Sequence, residues 1–254
     1  MWFEKRLRLF AGPNGSGKST VIKGILNSGY DCGVYLNADE LEKILLKNGY
    51  IDLRMFDLDN IEEGEFNEFC SQHTLPQKAQ ALGYKIDLSI NDSKVYYNTN
   101  GSTNSLSYEA SLIINFTILK LLSRNRKVSF ESVMSHNSKI ELLKHSKELG
   151  YKNYLYYICT DNPKINCERV EARVKKGGHN VIEEKIHSRY YSSLDLLSDA
   201  IKYSYKAYIF DNSGEQAVLI LSIDSKKDSN NAEFPNLSKS IPDWVQTYII
   251  DKLS

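Results

Sequence analysis

Residues Gly12-Pro13-Asn14-Gly15-Ser16-Gly17-Lys18-Ser19-Thr20 match the pattern Gly-x-x-x-x-Gly-Lys-Ser. Arg6 to Ala11 ahead of them is a short apolar-rich run and reads as a strand. Val21 to Leu26 behind them carries apolar residues at helical spacing. Strand, glycine loop and helix in that order are the context in which this pattern cradles phosphate. The glycines let the backbone curl until successive N–H groups face phosphate oxygens, and the helix adds the positive end of its dipole. Lys18 is placed for the β/γ-phosphates and the Ser19 hydroxyl for Mg²⁺. Gly12 to Thr20 therefore reads as the site of a nucleoside triphosphate, ATP or GTP. The loop alone leaves the reaction open.

The other bulk features exclude more than they assign. The 254 residues carry 32 basic and 32 acidic side chains, whereas nucleic-acid binders show a basic excess, so no nucleic-acid partner is expected. The length suits one large domain or two small ones. Cys32, Cys70, Cys159 and Cys167 form no Cys-x-x-Cys pair and read as free thiols of a cytoplasmic protein. No apolar run approaches the ~20 residues of a membrane helix, and the first ten residues lack the pattern of a secretory signal.

Along the chain, Val34 to Asn37 reads as a second strand and Ala38 to Asn48 as a helix ended by Gly49. An apolar helix follows at 106–123, a buried strand at 128–131, and a helix at 139–149 closed by Gly150. Residues 154–159 read as a strand. A helix with Pro163 near its start runs to the pair Gly177-Gly178, and another covers 182–197. Late strands fall at 206–210 and 217–221. This alternation predicts an α/β fold, a P-loop NTPase three-layer sandwich with a mostly parallel sheet and helices on both faces. Residues 1–254 read as a single domain. Residues 50–105, with an acidic run, a helix near 75–82 and an Asn/Ser/Thr-rich stretch, read as an inserted cap-like segment.

Further side chains are candidates for chemistry. Asp39 ends the second strand, where open parallel sheets place ligands; it suits either a general base or a cap of the next helix. Glu131 ends a buried strand, where a carboxylate needs a partner: Mg²⁺ through water, substrate, or the loop itself. Arg169 and Arg173 share a helix face, before the two glycines of a closing lid. That basic stretch suits either phosphate stabilisation or a solvated face. His179 reads as a polar contact of the lid. His73, His136, His145 and His187 suggest no metal-ligand cluster.

Taken together, the loop, Asn37-Ala38-Asp39, Phe130-Glu131-Ser132-Val133-Met134-Ser135, Arg169-Val170-x-x-Arg173 through Gly177-Gly178-His179, Glu184 through Arg189-Tyr190 to Ser193-Leu194, and Asp211-Asn212-Ser213 stand in the order found in one family. The chain resembles the zeta-toxin-like P-loop kinases, in the branch labelled predicted ABC-type ATPases. An ABC ATPase signature of the LSGGQ type is absent from the sequence. The resemblance implies an ATP·Mg²⁺-dependent kinase acting on a sugar hydroxyl of a nucleotide-type molecule. Zeta toxins phosphorylate UDP-N-acetylglucosamine, and a related plant-pathogen effector family phosphorylates NAD. It also implies Asp39 as base, Glu131, Arg169 and His179 at the substrate, and Arg173 and Arg189 as lid arginines. For a toxin it implies an antitoxin protein as partner. Ser132-Val133 stands where zeta toxins carry Thr-Gly. The competing readings are a regulatory P-loop ATPase without a small-molecule acceptor and a polynucleotide 5′-kinase.

Overall fold

The computed structural model describes residues 4–98, 105–178, 180–224, 232–233 and 241–253. In chain order the strands are β1 (Arg6–Ala11), β2 (Val34–Leu36), β3 (Tyr50–Asp52), β4 (Leu88–Asn91), β5 (Lys94–Tyr97), β6 (Val128–Ser132), β7 (Lys152–Cys159), β8 (Lys206–Asp211), β9 (Val218–Asp224) and β10 (Ala232–Glu233). The helices are α1 (Lys18–Asn27), α2 (Ala38–Asn48), α3 (Glu63–Gln72), α4 (Thr74–Ala81), α5 (Ser107–Ser123), α6 (Ser138–Glu148), α7 (Pro163–Val174), α8 (Glu183–Asp195), α9 (Leu197–Lys202) and α10 (Asp243–Val245). The chain divides into two compact units, Met1–Cys32 with Ser129–Ser254, and Gly33–Val128.

Within the first unit the strands lie in the order β10-β9-β8-β7-β1-β6. β1 and β7 are parallel, with Leu9 opposite Leu155, and β7 and β8 are parallel, with Tyr157 opposite Ile209. Alternation along β7 sends Asn153, Leu155 and Tyr157 to one face. There the Tyr157 and Ser193 hydroxyls, the latter on α8, lie 3.0 Å apart, and the Tyr157 ring meets Trp244 at 6.1 Å. On the opposite face Phe10, Tyr156 and Tyr208 stack across three strands. Arg8, buried on that face, lies within 6 Å of the rings of Tyr154 and Tyr30, which partly offsets the removal of its charge from water. Tyr30 follows α1, so helical segments cover both faces of a mostly parallel sheet.

The late strands depart from the purely parallel pattern. β8–β9 and β9–β10 are antiparallel. Only residues 212–217 join β8 to β9, too few for a parallel crossover.

Asn153 ties α6 and the end of α9 to the sheet. Its side-chain oxygen accepts from Ser146 Oγ at 2.8 Å, and its amide donates to the carbonyls of Leu143 (2.7 Å) and Tyr203 (3.0 Å). Asn153→Ala removes these three bonds in a buried place, while Ser146 Oγ keeps the Leu143 carbonyl at 2.9 Å. It is expected to destabilise the fold by about 2–3 kcal/mol. Urea denaturation checks this, and an unmoved midpoint would show that the three bonds contribute nothing net.

The second unit holds the antiparallel sheet β3-β5-β4. Val95 of β5 lies opposite both Ile51 and Ile90, and all three are buried. The β4–β5 turn is Asp92-Ser93, both at positive φ (47° and 58°), the backbone of a two-residue hairpin. Ser93 pins it. Its Oγ accepts from Ile61 N at 3.2 Å and its carbonyl from Leu53 N at 2.9 Å. α3 and α5 meet through Phe66 and Phe116, edge to face at 5.0 Å. Among its described residues, the 50–105 segment therefore holds β3, β4, β5, a 3-10 helix at Leu53–Phe56, and α3 and α4. No helix among the described residues is long and apolar enough to cross a membrane.

Candidate functional site

The loop between β1 and α1 has a backbone that only glycine tolerates at several points, Gly15 and Gly17 among them. Gly17 starts α1 at φ 88°, and a Cβ there would lie 2.1 Å from Asn212 Nδ2. Gly15 has φ 78°, and a Cβ would meet the Asn166 carbonyl at 2.3 Å. α1 has no side-chain cap and no acidic residue in its first turn, so its first N–H groups are left for an anion. Lys18 Nζ folds over the loop and donates to the carbonyls of Gly12 (2.7 Å) and Pro13 (3.0 Å). The Ser16 hydroxyl is buried without a hydrogen-bond partner among the described residues. A cradle closed to any Cβ, an uncapped helix start and a lysine across it fit a phosphate chain.

Ser19 Oγ donates to Glu131 Oε2 at 3.5 Å. Two hard oxygen donors side by side at the end of the loop suit Mg²⁺, which favours oxygen ligands and retained water. Arg189 on α8 also reaches the loop, its Nη1 donating to Asn14 Oδ1 at 3.2 Å. Arg169 on α7 instead donates to the carbonyls of Asn212 (2.8 Å) and Gly214 (3.1 Å) and so holds the turn after β8. Arg173 packs its chain against Gly178, where a Cβ would lie 2.5 Å from Arg173 Cγ. His179 lies outside the described residues. Asp39 belongs to the second unit. Asn37 caps α2 there, its Oδ1 accepting from Asp39 N (2.9 Å) and Glu40 N (3.2 Å). The cap is thus Asn37 rather than Asp39, and the Asp39 carboxylate stands exposed.

The loop has supports that spacing alone does not reveal. Asn166 Nδ2 donates to the Asn14 carbonyl at 2.6 Å, and its Oδ1 accepts from the Thr160 hydroxyl. Asn212 Nδ2 donates to the Ser16 carbonyl at 2.8 Å. Tyr190 OH donates to the Thr160 carbonyl at 2.5 Å. Residues 152 and 196 positions away thus shape the loop. Asn166, Asn212 and Tyr190 fall within or beside the family-like stretches, which was the one signal available. Burial pushes the Cys159 thiol up to about 12, so it is no nucleophile. Outside the loop, ligand atoms of Cys167, Glu183 and His187, on α7 and α8, lie within 4.8 Å of one another. Their spacing spans two helices and matches no local motif.

No family model matches the chain. An uncharacterized protein of Haemophilus influenzae is 43% identical over 60 residues, covering 24% of this chain and 43% of that protein. Solved structures reach further. A chain of the AvrRxo1-ORF1:AvrRxo1-ORF2 complex with sulphate ions superposes with TM-score 0.55 at 14% identity, over 92% of this chain and 62% of that one. A chain from the PezAT toxin–antitoxin system of Streptococcus pneumoniae gives TM-score 0.50 at 13% identity, over 98% and 79%. This chain shares the fold of these AvrRxo1 and PezAT chains. The AvrRxo1 complex has also been crystallised with ATP, and that structure superposes equally well at 0.55 with 13% identity. This chain spans 62% of the AvrRxo1 chain and under half of the H. influenzae relative.

Proposed function

We propose that the protein is a kinase that transfers the γ-phosphate of ATP to a sugar hydroxyl of a nucleotide-type molecule, a UDP-N-acetylglucosamine-like or NAD-like acceptor. The observation that carries this reading is the uncapped start of α1 at Gly17 with Lys18 Nζ across the loop. The ATP complex of an AvrRxo1 structure supports the nucleotide. The loop N–H groups and Lys18 bind the phosphates. Ser19 and Glu131 hold Mg²⁺, which supplies charge neutralisation on the phosphate oxygens when bound. Arg189, and Arg173 on the neighbouring helix, stabilise the charge of the transferring group. Asp39 accepts the proton of the attacking hydroxyl, while Glu131 and His179 orient the acceptor. Arg169 acts through the 212–214 turn rather than by touching substrate. We further infer that the chain is the toxin of a pair whose antitoxin covers the nucleotide site, on the fold it shares with PezAT.

The test incubates the purified protein with ATP·Mg²⁺ and a metabolite panel including UDP-sugars and NAD, read by mass spectrometry. A phosphorylated sugar nucleotide or dinucleotide is expected. ATP consumed with no phosphorylated metabolite would replace this reading with a regulatory ATPase.

A further inference from the structure

Cys167 lies in the middle of α7, and Glu183 and His187 lie one turn apart on α8, so the last two share a helix face. One ligand atom from each of the three lies within 4.8 Å of the others, and His187 Nε2 stands 3.8 Å from Glu183 Oε1. We propose that Cys167, Glu183 and His187 form a binding site for one thiophilic divalent cation, zinc above all, that ties α7 to α8. The donor set decides the metal. A thiolate and an imidazole suit zinc and disfavour Mg²⁺ and Ca²⁺. A thiolate and a carboxylate beside a neutral imidazole carry two negative charges, which match a divalent ion. Three protein ligands leave the fourth tetrahedral position to water.

Binding of the cation releases the thiol proton to solvent. The site also has leverage. Asn166, next to Cys167, holds the Asn14 carbonyl, and Arg189, two residues past His187, holds the Asn14 side chain. The ion would fix both supports of the loop. The cation site rests on α7 and α8 alone and stands whether or not the protein is a kinase.

The test titrates chelator-treated protein with Co²⁺, whose thiolate complexes absorb in the near ultraviolet. One equivalent is expected to produce that band, zinc to abolish it, and Cys167→Ser to prevent it. His187→Gln is expected to weaken Co²⁺ binding at least tenfold. Saturating zinc is expected to raise the melting temperature of the wild type by about 5 °C and to leave Cys167→Ser unmoved. The metal-free melting temperature of each variant verifies that it folds. No thiolate band in the wild type, or a band that persists in Cys167→Ser, would overturn the site. Co²⁺ binding in His187→Gln at wild-type strength would also overturn it.

Discussion

Lys18→Ala is expected to lower phosphate transfer by about a thousandfold, the scale on which removal of one preorganised charge-stabilising donor acts, and to weaken ATP binding as well. Lys18 is the cation across the loop, held by the Gly12 and Pro13 carbonyls, and α1 begins without any acidic residue that would compete for it. Alanine is a strong helix former, so the start of α1 survives the change. The defect therefore belongs to the phosphates and not to folding. Isothermal titration with a non-hydrolysable ATP analogue and single-turnover transfer measure the two parts. Wild-type turnover in this variant would refute the reading of the loop.

Asp39→Ala carries the second large effect, in a different pattern. A general base contributes about a hundredfold to ten-thousandfold, and transfer to the acceptor is expected to fall within that range while ATP binding stays at the wild-type level. The geometry of α2 makes the test clean. Asn37, not Asp39, accepts the hydrogen bonds that start the helix, so removal of the Asp39 carboxylate leaves the cap in place. Circular dichroism and an unchanged melting profile verify this. Undiminished phosphorylation of the acceptor would remove Asp39 from the mechanism.

The two variants address residues of unequal legibility. Lys18 was readable because everything that defines the loop lies within nine consecutive residues, and local physics dictates their form. The same holds for α2 between Asn37 and Gly49, where a capping side chain and a left-handed glycine mark the two ends. Pro163 in the first turn of α7 is marked likewise. The β4–β5 hairpin was illegible because its turn places Asp92 and Ser93, rather than an Asn-Gly pair, at positive φ. Tertiary bonds to Ser93 hold that backbone, and no local pattern announces them. α3 was masked by its acidic residues, since Phe66 alone of its side chains is fully buried. The supports of the phosphate loop escaped for a similar reason. Asn166 and Asn212 are ordinary polar residues until the fold carries them to the loop. Arg169 was ambiguous by charge and helix spacing, which suited phosphate or a solvated face; its guanidinium donates to main-chain carbonyls.

The reach of Asn212 has a consequence in time. Its amide sets the Ser16 carbonyl across 196 residues of sequence, and β7, which flanks the loop's own strand, begins only at Lys152. A ribosome adding about 5–20 residues per second makes the loop on the order of ten to forty seconds before it makes the brace. Throughout that interval the nascent chain carries every residue of its nucleotide-binding motif without the frame that gives the motif its shape. A chain that stalls or is cut short before Asn212 therefore carries the motif without this brace.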